Sequence, residues 1–464
     1  GHSEIMQALI RAKAPVDAID VNKMSPLHRA AECGCISGVA ILLNAKAGVH
    51  VRDCTRATPL HLAARNGNGK VVDLLIDAKA SFDVGGKRYE KLLLEAAALG
   101  VAGTVRTLKA KAKVDTRDRV LLCTALHFAA RGGHVHTVKA LIRAKASLDV
   151  QDINKQTPLH HAAAGGHCAV VRVLLRARAS VSMEDQEKMT PLHRAIAYSH
   201  SAVVRTMVDA KLDVDAQNDQ LIPLHIAAER GHSAVMRILL ENTVKINVAN
   251  AHKENSMHLA AKNGHSAVLK ALIDARSCLN MLDHNDNSPL YRAAESGHCS
   301  ALRILIEAKA SLKTFDGDIC PLHVAAEHGH SAVVRRLVNA KVDVDVQEES
   351  DRTPLHFAAE NGHRAVVKAL VNANAVVDAS DDEGRSPLYY ATVRGNSAVA
   401  QILADAKADV DAPDSNKMTL LHWATQEGHT DTVKVLLRAK AEVDLRDCDG
   451  YTPLRSAVKS GLSE

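Results

Sequence analysis

The chain has 464 residues, a formal net charge of +5, 47% hydrophobic residues and only 2% aromatic ones. That apolar content excludes a disordered chain, and so small a basic excess argues against a dedicated nucleic-acid binder. No apolar run reaches the roughly 18 residues that a membrane span needs, and nine scattered cysteines with no C-x-x-C pair read as free thiols of a reducing compartment.

In chain order, residues 1–24 read as part of a unit whose start is missing, with Gly1–His2–Ser3 in the phase of the later "GHS" at 231–233. From Ser25 on, the tetrad T-P-L-H and its variants recur. It opens at Ser25, Thr58, Lys91, Thr124, Thr157, Thr190, Ile222, Asn255, Ser288, Cys320, Thr353, Ser386, Thr419 and Thr452, with eleven spacings of 33 and two of 32. Residues 25–451 thus hold thirteen consecutive repeats, with 91–123 degenerate, and residues 452–464 begin another. Each repeat predicts the same elements. Thr or Ser caps a short Ala-rich helix with Pro in its first turn. Gly ends that helix. A second helix carries apolar residues at helical spacing, as in Val170, Val171, Leu174 and Leu175. A polar loop with Asp returns the chain to the next tetrad. Two such helices cannot bury their apolar faces alone, whereas stacked copies can.

This period and the T-P-L-H-x-A signature resemble those of the ankyrin-repeat family over essentially the whole chain. The resemblance implies an all-α solenoid of stacked helix-turn-helix units with short β-hairpin loops, about fourteen repeats long. It also implies a non-enzymatic scaffold or adaptor whose protein partners lie in a concave groove lined by hairpin tips and first helices. The chain departs from the family pattern in three places. Where the family has Gly after the second helix, this chain has a basic ladder including Lys13, Lys46, Lys145, Arg178, Lys309, Lys407 and Lys440. Two readings stay open: cations offsetting the helix C-terminal dipole, or a spine for an anionic partner. The repeat at 91–123 has K-L-L-L for its tetrad after "VGGKRYE" at 84–90, so it is either a hinge or a diverged, well-packed copy. Neither end shows a polar capping repeat, so the sequence is expected to be an excerpt of a longer array, and a recognition segment of a larger enzyme or channel is an alternative reading.

The groove positions implied by the resemblance include Glu32, Arg65, Arg131, Glu229, Glu295, Glu327, Glu360, Arg394 and Glu427, a row that turns acidic from Glu229 onward. It would suit a basic or amphipathic peptide. Phe357, Tyr390 and Trp423 stand just after the tetrad in three successive repeats, as framework or as a binding hot spot. Met418 and Tyr451 add adaptable contacts at hairpin tips.

The stretch 156–181 packs His160, His161, His167 and Cys168 together, which invites a metal reading. Of the 26 histidines, ten occupy the tetrad and ten more stand at the turn between the helices. Packed neighbours are about 8–10 Å apart, whereas zinc holds its nitrogens at about 2.0–2.1 Å. The repeated histidines therefore read as hydrogen-bonding framework, with no metal site, cofactor or catalytic residue. No phosphate-binding loop, H-E-x-x-H or G-x-S-x-G is present. The expectation is a monomeric, intracellular, cytoplasmic protein-binding chain.

Overall fold

The computed structural model describes residues 2–78, 80, 89–108, 112–210, 222–242, 244–312 and 319–459. Lys79, Lys111 and Lys211 of the basic ladder, residues 84–88, and Gly1, Gly461 and Leu462 lie outside the described residues. The chain forms two compact units, 1–226 and 227–464. Both are built from short helix pairs, and among the described residues the helices are joined without regular strands. An isolated antiparallel bridge, Arg117 to Thr124, stands where a β-hairpin was expected.

The repeat at Thr157 shows why these residues fold this way. Thr157 caps the first helix, Pro158–Ala164, from an extended backbone at φ −89° and ψ 166°. Its partner in the cap is His160, three residues on, where a capping box usually carries Glu or Gln. The Thr157 backbone N–H and hydroxyl both meet Nδ1 of His160, at 3.1 and 2.8 Å. Nδ1 therefore accepts, and Nε2 carries the proton that it donates 3.0 Å to the carbonyl of Met189, just before the next tetrad. His127, His258, His323, His356 and His422 repeat that forward bond to a carbonyl 29 residues on.

A second set of histidines bonds backward. His134, His167, His200, His265, His363 and His429 each donate from Nε2 to a carbonyl 36 residues earlier, at 2.8–3.0 Å. Asn68 and Asn396 make the same bond with their amide groups.

The core lies between the two helices of a repeat and those of its neighbours. Leu159, Ala162, Ala163, Val170, Val171 and Leu174 are fully buried. Helix Pro158–Ala164 packs on Ala125–Arg131 before it and Pro191–Ala197 after it. Alanines let these helices approach closely, which is why so few aromatics fill the interior.

The degenerate repeat is packed rather than open. Its helix Glu90–Ala98 buries Leu92, Leu93, Ala96 and Ala97, and its second helix buries Val105 and Leu108. It lacks the polar cap, since Tyr89 offers no side-chain bond to the helix start.

The described members of the basic ladder adopt left-handed backbone, with φ of 61–69° at Lys46, Lys145, Arg178, Lys309, Lys407 and Lys440. A second left-handed position, two residues before the tetrad, escaped the sequence reading. It holds Lys23, Arg56, Lys155, Lys253 and Lys417, with φ of 56–66°. Gly384 and Gly450 occupy the same phase at φ 75° and 77° and were the available signal.

Candidate functional site

Five residues before most tetrads stands an Asp that closes the hairpin. Its Oδ1 accepts the N–H groups two and four residues on: Thr55 and Ala57 for Asp53, Asn154 and Gln156 for Asp152, Glu383 and Arg385 for Asp381. The remaining oxygen, Oδ2, meets the residue nine positions on, at the start of the first helix. That residue is a donor of changing chemistry. Arg194 reaches Asp185 at 2.6 Å, Arg292 reaches Asp283 at 2.8 Å through Nε, Tyr390 reaches Asp381 at 2.6 Å and Trp423 reaches Asp414 at 3.1 Å. His161 reaches Asp152 at 2.8 Å. A third side chain, from the residue before the preceding tetrad, closes on the same oxygen. Gln156 lies 3.4 Å from Asp185 and the Cys123 sulfur 3.9 Å from Asp152.

Burial alone would raise the Asp381 carboxyl. The Tyr390 hydroxyl and the N–H and guanidinium of Arg385 outweigh it and hold that carboxyl below the ordinary range. Burial, reinforced by Asp152 and Asp118, pushes the Cys123 thiol up to about 12.

The four residues of the metal-like stretch at 160–168 do not converge. His160 bonds Thr157 and Met189, His167 bonds the carbonyl of Arg131, and Cys168 lies 3.0 Å from the Thr206 hydroxyl. His161 turns instead to Asp152 and Cys123, and its ring meets the His127 ring edge-on at 5.6 Å. That trio went unseen in the sequence because its members stand 29 and 9 residues apart in three successive repeat periods.

The sequence-predicted binding residues gather in the second unit on one set of neighbouring repeats. Phe357 and Tyr390 are buried, at 8% and 9% exposure. This narrows their expected role from direct contact to support. The Arg352 guanidinium sits 4.3 Å from the Phe357 ring and 4.6 Å from the Tyr390 ring, and pairs with the Glu360 carboxylate. Glu360 also bonds the exposed Arg394 at 2.7 Å. Trp423 is half-buried, with Tyr389 edge-on to it at 5.7 Å. Met418, Tyr451 and Glu327 are half-buried, and Glu427 is exposed. Arg352 and Arg385 organise this face and were missed. Their shared place just before the tetrad was the signal.

Among the described residues no helix is long and apolar enough to cross a membrane. The family model described as ankyrin repeats (3 copies) matches residues 1–86, 93–185, 177–250, 242–316, 322–414 and 407–464. A search of curated proteins gives no match. Among solved structures, the human ASB11 ankyrin repeat domain is similar at 26% identity with a TM-score of 0.45, covering 48% of this chain and 99% of that one. With family matches along nearly its whole length, and helix pairs recurring at the 32- or 33-residue period, this chain belongs to the ankyrin-repeat family.

Proposed function

We propose that the chain is a non-enzymatic scaffold or adaptor whose second unit binds a basic or amphipathic peptide. Ankyrin repeats are protein-interaction modules, which is the coarse part of this reading. The finer part rests on one observation. The hairpins and first-helix ends between 320 and 451 carry exposed acids, Glu349, Asp351, Asp382 and Glu427, beside the half-buried Glu327. Exposed Arg394 and Lys417 stand among them, but an excess of one sign on a face steers an oppositely charged partner and sets specificity. Trp423, Met418 and Tyr451 supply apolar surface between those acids. Phe357, Tyr390, Glu360 and Arg394 hold the face in register. Nine free cysteines, five of them exposed, suit an intracellular, reducing setting.

The test is affinity capture from cell lysate with the wild type and a Glu327→Lys, Asp382→Lys, Glu427→Lys variant, each checked for unchanged unfolding temperature. The expected result is a protein held by the wild type at high salt and lost by the variant. Equal capture by both would remove the acidic face as the binding surface. Capture of nucleic acid or lipid alone, released by salt, would move binding to the lysine ladder.

A further inference from the structure

The hairpin constellation described above recurs from junction to junction with a different composition in each, and its third side chain reaches the Asp oxygen at Asp185 and Asp152. Reading its three positions in order gives Gln156, Asp185 and Arg194 at one junction, Glu254, Asp283 and Arg292 at another, and Arg352, Asp381 and Tyr390 at a third. Only one junction in the sequence has a metal-ligating type at every position: Cys123, Asp152 and His161. The fold places the three side chains at one oxygen by its register. Each offers a ligand atom, these atoms lie within 4.8 Å of one another, and no other such trio exists among the described residues.

We propose that Cys123, Asp152 and His161 form a zinc site that clips three successive repeat periods of the first unit together. The donor set of thiolate, carboxylate and imidazole suits that borderline-soft ion. Zinc bonds of about 2.0–2.3 Å set tetrahedral donors roughly 3.3–3.8 Å apart. The His161 to Asp152 separation of 2.8 Å opens by a fraction of that, and the 3.9 Å from Cys123 to Asp152 closes slightly. Asp152 keeps its hairpin bonds throughout, because Oδ1 holds the Asn154 and Gln156 N–H groups and Oδ2 alone turns to the metal. On binding, the thiol proton leaves to solvent and the His161 ring moves its proton from Nε2 to Nδ1. Uptake therefore releases protons. The protein supplies three ligands, which leaves one coordination position for water.

Comparison with the arginine junctions gives the site its second support. Asp185 and Asp283 are each faced by a permanent cation, Arg194 or Arg292, at the position where Asp152 has an imidazole. A divalent ion would supply at Asp152 the positive charge that the guanidinium supplies elsewhere.

The repeat also provides the control. Cys123→Gln with His161→Arg converts this junction into the Gln156, Asp185 and Arg194 junction that follows it. That variant keeps the hairpin carboxylate bonded and lacks two metal ligands. Metal-free full-length chain and variant are titrated with Zn²⁺ alone and with Co²⁺ alone, with bound metal per chain, proton release and unfolding temperature recorded. The expected result is one equivalent more Zn²⁺ in the wild type, a Zn²⁺-dependent rise in its unfolding temperature, and a thiolate-to-cobalt absorption band, all lost in the variant. The exposed cysteines and histidines contribute equally to both proteins and cancel. Equal metal uptake by the two, or a cobalt band that survives in the variant, would overturn the site. Cys123→Ser, tested alone, must weaken Zn²⁺ binding at least tenfold, and unchanged binding there would overturn it too.

Discussion

A lysine held at φ near +60° carries strain that glycine does not, of about 1 kcal/mol or somewhat more. The chain accepts this at two positions of the repeat, as at Lys145 and Lys155 or Lys407 and Lys417, and the two are not equivalent. At Lys309 (φ 65°) the residue follows a helix C-terminus, where a cation recovers about 0.3–1 kcal/mol from the helix dipole. At Lys155 (φ 57°) it sits in a hairpin two residues before the N-cap Thr157, at the positive end of a helix dipole that gives a cation nothing back. Lys155→Gly is therefore expected to stabilise the chain by about 1 kcal/mol and Lys309→Gly by roughly half that or less, read from urea midpoints. Equal gains at both would show that the dipole contributes nothing and would leave the basic ladder without a folding role. The first ladder was legible from the missing family glycine. The second was hidden because its lysines stand in a polar hairpin, where a charged side chain attracts no notice, and only the backbone torsion shows its strain.

At the scale of the helix pair, the turn between the helices is the least tolerant point. Gly133 has φ +72°, and a methyl group added there would lie 2.7 Å from Nδ1 of His167, which is itself bonded to the carbonyl of Arg131. Gly133→Ala combines a left-handed alanine with the displacement of an inter-repeat bond. A loss of roughly 2–4 kcal/mol in unfolding free energy is expected, with far-UV dichroism unchanged. The helix pair itself was readable because Thr157, Pro158, Leu159 and His160 act locally, within four residues of one another. The hairpin trio of Cys123, Asp152 and His161 was not, because three successive repeats contribute to it and the period describes one repeat at a time. For the same reason Tyr390 and Trp423 read as a contact ladder, while their bonds to Asp381 and Asp414 appear only once the hairpin is folded back over the helix start.

At the scale of the whole molecule, the buried histidines make stability depend on acid. Burial holds the His127, His160 and His323 imidazoles down at about 4, against an ordinary value of 6.5. Between those values the unfolded chain binds protons that the folded one refuses. The histidine contribution is therefore full above pH 6.5 and lost as the pH drops toward 4, below which the protonation of carboxyls held low, such as Asp381, Asp185 and Asp283, continues the fall. Each such histidine contributes on the order of 3 kcal/mol across the window. Urea midpoints taken from about pH 7 to about pH 4 should fall steeply, and a flat profile would show that these rings are protonated in the folded state.

The forward and backward histidine bonds reach 29 and 36 residues along the chain, and both ends of each bond fall at fixed phases of the same period. A segment of one whole period can therefore be duplicated or excised, and the flanking repeats will find partners at the new junction as they did at the old one. An insertion of any other length puts a histidine opposite the wrong carbonyl. Growth by copying is thus open to this molecule wherever both histidines are present. It is closed at the repeat opening at Lys91, where Leu94 and Val101 stand in the two histidine positions and neither side chain can bond a carbonyl. That copy can diverge in place, but two copies of it in tandem would meet without a histidine bond, keeping only weaker polar links such as that of the Thr104 hydroxyl to the Ala64 carbonyl of the preceding repeat.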